Sequence, residues 1–267
     1  MNEETEARQY YHEYYGRKGS DRNDLSTNRG VLFQTLAQEA SVVDAVRRIS
    51  HNPRTATVLD VGCGGGNNLF QLLRLKYQTE NISGIDLQSE RINEARRMYP
   101  SSHFVQGDAS RMEFGDASFD LVYESTMFAT LTDDKLCAGI AREMLRVCRP
   151  GGYLLLVDWS FPHPRSTTYK ALSRQRLTNL FGLGTTTQLV SVSSGALVPP
   201  IGRFLSRYAQ FAYFGVSTFL PFLVGQVAYL LQRTAQSIGP SLDRVQTRTS
   251  TTSLELREET GHLEAAA

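Results

Sequence analysis

The first feature that could do chemistry is a cluster of four glycines between Gly62 and Gly66, directly after the apolar run Thr57 to Val61. Glycine permits positive φ angles and lets a ligand approach the backbone, so this turn is typical of a cofactor site. Asp86 follows about 20 residues later, where a carboxylate can accept hydrogen bonds from both hydroxyls of a ribose. Asp108, in the run V-Q-G-D-A, could accept from the exocyclic amine of a base. Each aspartate alone could instead cap a turn or a helix, but together they predict a site for a nucleoside-bearing ligand.

Three further side chains are candidate catalytic proton acceptors. Glu124 and Asp158 each follow an apolar run, and His163 lies between two prolines. An unperturbed histidine pKa of about 6.5 suits a base that works near neutral pH. The alternatives are that Glu124 makes hydrogen bonds to the cofactor or the backbone, and that His163 belongs to a surface loop. No cluster of His, Cys, Asp or Glu has metal-ligand spacing, so the sequence predicts no metal site.

Alternating strands and helices are expected to position these residues. The apolar runs that predict strands are Thr57 to Val61, Ile82 to Asp86, His103 to Val105, Phe119 to Tyr123 and Gly152 to Val157. Helical periodicity lies between them, around Leu69 to Tyr77, Glu90 to Met98 and Lys135 to Cys148. This alternation predicts an α/β fold with a doubly wound, mostly parallel sheet. Because ligands of such sheets bind at the carboxyl ends of the strands, the glycines and acidic residues are expected to share one rim.

Five motifs resemble those of the class I S-adenosylmethionine-dependent methyltransferases. They are D-V-G-C-G-G-G at Asp60 to Gly66, G-I-D-L at Gly84 to Leu87, G-D-A at Gly107 to Ala109, F-D-L-V-Y-E at Phe119 to Glu124 and R-P-G-G at Arg149 to Gly152. Asn67 stands where an NAD site would have its third glycine, which argues against a dinucleotide. The resemblance implies S-adenosylmethionine as cofactor and a Rossmann-like sheet of seven strands with a reversed last strand. The cofactor-binding residues it implies are Asp60, Gly62, Cys63, Gly64, Asn67, Asp86, Leu87, Asp108, Ala109 and Glu124.

Motifs further along the chain are similar to those of small bacterial methyltransferases that accompany surface-polysaccharide biosynthesis. They are E-S-T-M-F-A-T-L-T-D-D at 124–134, D-W-S-F-P-H-P at 158–164, L-S-R-Q-R-L-T-N-L-F at 172–181 and A-L-V-P-P-I-G-R-F-L at 196–205. This similarity implies an enzyme that methylates a sugar hydroxyl of a surface glycan or glycoconjugate. One alternative is a methyltransferase for a small metabolite or natural product. The other is a partner protein that binds S-adenosylmethionine without catalysis.

Helical additions are expected on both sides of the core at residues 55–160. Residues 1–54 are predicted to form a helical lid or a docked helical segment. Within them, a second helix is expected from Val31 to Ile49. The aromatic face of the first helix is Tyr10, Tyr11, Tyr14 and Tyr15. The predicted buried stripe of the second is Leu32, Leu36, Val43, Val46 and Ile49. Residues 161–233 are predicted to form a substrate cap and to complete the sheet with strands at Gln188 to Val192 and Val227 to Leu231. Residues 234–267 are predicted to be a mobile tail.

Composition limits the partners and the location of the protein. Lys and Arg total 28 against 27 for Asp and Glu, so the net charge of +1 gives no electrostatic case for nucleic-acid binding. The N-terminus lacks the apolar stretch of a secretion signal, so a cytoplasmic protein is expected. Residues 208–232 carry no charged side chain. The preferred interpretation is a cap whose apolar face meets substrate or the second subunit of a homodimer. The alternatives are a membrane span and peripheral contact with the inner face of the membrane.

Overall fold

The computed structural model of the protein describes residues 24–161 and 169–235. Seven strands in these residues form one sheet in the order β3-β2-β1-β4-β5-β7-β6. The strands are β1 Val58–Val61, β2 Ile82–Asp86, β3 His103–Gln106, β4 Phe119–Ser125, β5 Cys148–Trp159, β6 Thr187–Ser194 and β7 Gln226–Arg233. Strands β1 to β5 are parallel to their neighbours in that set, while β7 lies antiparallel between β5 and β6. The predicted doubly wound sheet with a reversed last strand is therefore confirmed.

Helices cover both faces of this sheet. The described α-helices are α1 Arg29–Val46, α2 Asn67–Arg74, α3 Ser89–Met98, α4 Asp134–Val147, α5 Arg174–Phe181, α6 Pro199–Tyr208 and α7 Tyr213–Phe219. Along β5, Leu154 and Leu156 belong to one hydrophobic cluster, whereas Leu155 and Val157 belong to another. The first cluster includes side chains of α4 and α5, and the second includes side chains of α2 and α3. Because neighbouring strand residues point to opposite faces, the two clusters are the two sides of the sheet.

Helix α1 begins at an asparagine cap and packs with a different face from the one predicted. Asn28 Oδ1 accepts hydrogen bonds from the backbone N–H groups of Gly30 and Val31, at 3.1 and 3.3 Å. The buried residues of α1 are Ala37, Ser41, Val42 and Ala45. Leu36 and Val43 of the predicted stripe are 41% and 36% exposed, so that part of the prediction is wrong. The physical reason is that α1 packs against β6, β7 and α6 together, and small side chains permit this close approach.

The chain between β6 and β7 leaves the sheet and returns to adjacent positions. Gly195 N–H donates to Gln226 O at 2.9 Å, and the N–H groups of Gly225 and Gln226 donate to Ala196 O at 2.9 and 3.0 Å. A Cβ on Gly195 would lie 2.8 Å from Gln226 O, which explains why glycine is needed there. Helices α6 and α7 lie within this insertion. The strands predicted at 188–192 and 227–231 are confirmed as parts of β6 and β7.

Several predictions fall outside the described residues. These are the tyrosine face at Tyr10, Tyr11, Tyr14 and Tyr15, the candidate base His163 and the tail from residue 236. Within the part of the chain that the structure describes, no helix is long and apolar enough to cross a bilayer. Residues 208–232 instead contain the end of α6, helix α7 and most of β7.

Candidate functional site

The glycine turn joins β1 to α2 and is fixed to the neighbouring strand. Gly62, Gly64 and Gly66 have φ angles of 72°, 52° and 84°, a region that side chains with a Cβ rarely adopt. Gly62 N–H donates to Ile85 O at 2.8 Å, which holds the turn against the end of β2. A Cβ on Gly64 would lie 3.0 Å from Arg91 Nη2. The positive φ angles and this close approach explain the glycines in the turn.

Asp86, at the end of β2, is hydrogen-bonded to the glycine turn. Its Oδ2 accepts from Gly64 N–H at 2.9 Å, and its Oδ1 accepts from Gln88 N–H at 2.9 Å. Each carboxylate oxygen has a second lone pair, so the side chain can still accept from two hydroxyl groups. Asp86 therefore holds the glycine turn and can still accept the predicted hydrogen bonds from a ribose.

Asp108 stands just beyond β3, in the loop that continues toward β4. Its Oδ1 accepts from Ser110 N–H at 2.8 Å, which fixes the side chain in a short turn. Asp108 and Ala109 line the same cleft as Asp86. The structure thus brings the predicted ribose and adenine contacts to one rim of the sheet.

The cleft, about 820 Å³ in volume, opens at the carboxyl ends of β1 to β4. This volume lies in the range of about 300–1,000 Å³ that is usual for small-molecule sites. Of the predicted cofactor residues, those that line the cleft are Gly62, Cys63, Gly64, Asn67, Asp86, Leu87, Asp108 and Ala109. Asp60 and Glu124 are fully buried and are not among its lining residues.

Asp60 supports the turn from below. Both of its carboxylate oxygens accept from Asn68 Nδ2, at 3.1 and 3.2 Å, and Asn68 lines the cleft. Burial raises the pKa of Asp60 from 3.8 to about 7, because a charged carboxylate loses its hydration there. The Asn68 hydrogen bonds act in the opposite direction and favour the charged form.

Two of the predicted catalytic residues, Glu124 and Asp158, form a buried carboxyl pair beneath the loop that follows β4. Glu124 Oε2 accepts from Met127 N–H at 3.1 Å, and Asp158 Oδ2 accepts from Ala129 N–H at 2.8 Å. Glu124 Oε1 has no hydrogen-bond partner among the residues that the structure describes. Burial raises the pKa of both groups, and the charge of Asp158 raises that of Glu124 further. Neither side chain lines the cleft, so their role as proton acceptors stays a prediction.

Arg176 of α5 holds the same loop from its other side. Its guanidinium is buried and donates to Phe128 O at 2.9 Å and to Leu131 O at 2.8 Å. It also donates to Lys170 O at 2.6 Å and to Cys137 Sγ at 3.0 Å. Leu131 lines the cleft, so Arg176 positions part of the cleft wall. The sequence offered no signal that this arginine, unlike its neighbours on α5, would be buried.

Helix α1 supplies a wall of the cleft that was not assigned from the sequence. Val31, Thr35 and Gln38 line the cleft. Gln38 Nε2 donates to Ser125 Oγ at 2.9 Å, and Gln226 Nε2 donates to Gln38 Oε1 at 3.2 Å. Gln38 therefore connects the end of β4 to the start of β7.

The last residue of β4 and the two residues that follow it also line the cleft. They are Ser125, Thr126 and Met127. Thr126 has a φ of 64°, which is unusual for a β-branched residue, and its N–H donates to Val157 O at 2.8 Å. The signal that could have found these three residues is their position beyond a predicted strand end.

Comparisons with known proteins decide the family. A family profile described as a methyltransferase domain matches residues 58–152. The 2-methyl-6-phytyl-1,4-hydroquinone methyltransferase of Synechocystis sp. is 35% identical over 111 residues, which are 40% of this chain and 33% of that protein. An uncharacterized methyltransferase of Synechocystis sp. is 30% identical over 161 residues, which are 58% of this chain and 70% of that protein. The chain belongs to the S-adenosylmethionine-dependent methyltransferase family.

A solved structure supports the fold of this methyltransferase. The crystal structure of an S-adenosylmethionine-dependent methyltransferase from Methanosarcina mazei superposes with a TM-score of 0.52 at 18% identity. The match covers 72% of this chain and 97% of that one. The chain spans only a third of the length of the phytyl-hydroquinone relative, so that enzyme's acceptor does not transfer to this methyltransferase directly.

The rim of the cleft in this methyltransferase fits S-adenosylmethionine. Gly64 offers bare backbone where a side chain would press on Arg91. Asp86 keeps acceptor capacity for the ribose, and Asp108 lies one strand farther along the same rim. No group of three or more His, Cys, Asp or Glu residues in the described ranges could hold a metal ion.

Proposed function

We propose that the protein transfers the methyl group of S-adenosylmethionine to a small acceptor with a largely apolar skeleton. One observation carries this proposal: apolar side chains line the same cleft as Asp86 and Asp108. They are Leu25, Val31, Leu131, Leu136 and Ile140. Apolar side chains favour an acceptor that can bury hydrocarbon surface, at about 25 cal/mol per Å². The relative that methylates a phytyl-substituted hydroquinone is consistent with such an acceptor.

The cofactor supplies an activated methyl group on its sulfonium sulfur. In the proposed site, the glycine turn would hold its methionyl part, Asp86 its ribose hydroxyls, and Asp108 with Ala109 would border its adenine. What remains for the protein is to align the acceptor with the methyl group and to exclude water. Leu131 and Leu136 would exclude water from the acceptor side.

Several polar side chains that line the cleft are neutral and cannot serve as a base. Thr35, Gln38 and Ser125 are among them. Glu39 also lines the cleft, but it pairs with Arg74 at 3.1 Å. These groups suit an acceptor that gives up its proton readily, such as a phenol or a carboxylic acid. A weakly acidic alcohol would need a base, and Glu124, Asp158 and His163 remain the candidates for it.

A panel of acceptors with labelled methyl groups tests the proposal. The panel contains hydroquinones, phenols and fatty acids as apolar acceptors, and nucleotide sugars and lipid-linked glycans as sugar acceptors. We expect transfer to members of the apolar group. Transfer to sugars alone would refute the apolar acceptor and support the glycan enzyme that the sequence resemblance implies.

Calorimetric titration with S-adenosylmethionine separates the remaining alternatives. A folded sample that does not bind the cofactor at millimolar concentration would refute the proposed function altogether. Binding without transfer to any acceptor in the panel would instead favour a partner protein that holds the cofactor without catalysis.

A further inference from the structure

The insertion between β6 and β7 carries an exposed aromatic surface, which we call the docking surface. Its rings are Phe204, Tyr208, Phe211, Phe214, Phe219 and Phe222, all of them exposed. Phe211 and Phe219 are 92% and 82% exposed. Aromatic side chains normally bury much of their area, so a cluster of this size on one segment marks an interaction site.

The orientation of α6 and α7 places these rings outward. The buried residues of α6 are Gly202, Leu205 and Ser206, and those of α7 are Tyr213 and Ser217. The Phe204 and Tyr208 rings lie 5.3 Å apart on the exposed side of α6. The rings of Phe204 and Tyr208 on α6, and those of Phe214 and Phe219 on α7, therefore lie on the exposed sides of these helices.

Basic side chains border the docking surface. Arg29, Arg203 and Arg207 line a pocket of about 590 Å³ where the start of α1 meets α6. The Arg207 guanidinium lies 5.3 Å from the centre of the Tyr208 ring, so one arginine of the pocket contacts a ring of the docking surface. No Asp or Glu occurs anywhere between Trp159 and Leu242 in the sequence. The charge of this region is thus of one sign.

We propose that the docking surface binds the surface of an anionic phospholipid bilayer. The aromatic rings would enter the interfacial layer, and Arg29, Arg203 and Arg207 would contact lipid phosphates. Charge complementarity favours this occupant over a second copy, because two copies of a basic face would repel each other in a symmetric dimer. Six exposed rings on one segment also suit the boundary of a bilayer, where amphipathic and aromatic side chains concentrate.

Docking in this way would bring the cleft to the membrane. Thr27 to Gly30 line the arginine pocket, while Leu25 and Val31 on either side of them line the cleft. The two cavities therefore share the start of α1. An apolar acceptor dissolved in the bilayer could reach the cleft along this edge, a consequence that rests on the proposed function. The bilayer contact itself does not depend on it.

Sedimentation of the full chain with vesicles tests the proposal. Phosphatidylcholine vesicles with and without phosphatidylglycerol are compared at low and high salt. We expect binding to the anionic vesicles that weakens as salt screens the arginines. Replacing Arg203→Glu and Arg207→Glu together should weaken binding at least about thirtyfold, since each arginine near such a surface contributes about 1 kcal/mol.

Matched variants separate the docking surface from general effects. Arg97→Glu with Arg142→Glu makes the same charge change at exposed positions of α3 and α4, and it should leave vesicle binding within about twofold of the unmodified chain. Phe211→Ser with Phe219→Ser should also abolish most binding, whereas Met98→Ser, on the exposed side of α3, should not. Melting temperatures of all variants check that each is folded.

Three results would overturn the proposal. They are no binding of the folded chain to anionic vesicles, equal binding of the Arg203→Glu, Arg207→Glu variant, and dimerisation in solution that is lost in the Phe211→Ser, Phe219→Ser variant. The last would identify a second copy as the occupant. Vesicle binding is measured without an acceptor, so failure of methyl transfer would refute the proposed function and leave this result unaffected.

Discussion

Removing the Asp86 carboxylate is the most direct test of the cofactor site. In the proposed complex this group accepts hydrogen bonds from both ribose hydroxyls, and a hydrogen bond to a charged group contributes roughly 1.5–3 kcal/mol. Because the site is partly open to water, we take the lower value, which gives about 3 kcal/mol for two bonds. Asp86→Ala should therefore weaken S-adenosylmethionine binding about 100-fold.

Asp86 also accepts from the N–H groups of Gly64 and Gln88, so the substitution should lower stability as well as affinity. Asp120→Ala is the matched control, since Asp120 accepts from Thr57 N–H at 2.8 Å at the start of β4, away from the carboxyl ends of the strands. Calorimetry gives the affinity of each variant, and thermal unfolding gives its stability. If Asp120→Ala weakens cofactor binding as much as Asp86→Ala does, the assignment of the rim is refuted.

Three further outcomes follow from the buried groups. The folded pKa of Asp60, about 7, lies above its unfolded value of 3.8, so the native state keeps a proton that the unfolded chain loses. The free energy of unfolding should therefore fall by up to about 4 kcal/mol as pH rises from about 4 to 7. In denaturant titrations, Asp60→Asn should flatten this dependence on pH. Glu124→Gln should raise the melting temperature at alkaline pH, because it removes an acid whose ionised form is poorly solvated. If the variant loses methyl transfer but keeps its cofactor affinity, Glu124 is the proton acceptor. Retained methyl transfer would exclude that role. Arg176→Ala should lower the free energy of unfolding by about 3 kcal/mol or more, since it removes the hydrogen bonds of a buried guanidinium to Phe128 O, Leu131 O and Lys170 O. A change below about 1 kcal/mol in the denaturant midpoint analysis would contradict the positioning role.

Sequence patterns predicted the site residues that lie at the ends of strands. Gly62, Gly64 and Asp86 sit at the ends of apolar runs, and the parallel sheet brings strand ends together whatever the rest of the chain does. The rim was therefore predictable as a set. The role of Glu124 and Asp158 as proton acceptors stays a prediction, because both lie within strands and neither is among the residues that line the cleft.

The side chains that α1 supplies to the cleft depend on contacts between distant parts of the chain. Helical periodicity predicted the helix, but its rotation is determined by packing against β6, β7 and α6. That rotation turns Val31, Thr35 and Gln38 toward the cleft and leaves Leu36 exposed. Hydrophobicity along one segment does not contain this information.

The backbone hydrogen bonds that join the two ends of the insertion, near Gly195 and Gly225, have an evolutionary consequence. Because the insertion starts and ends at backbone positions that are bonded to each other, its length can change without altering the register of β5, β7 and β6. The entropy cost of a longer connection also grows only slowly. Related chains could thus exchange this segment as a module. They would gain a new acceptor or a new location in the cell, while the strands that carry the proposed cofactor site stay unchanged.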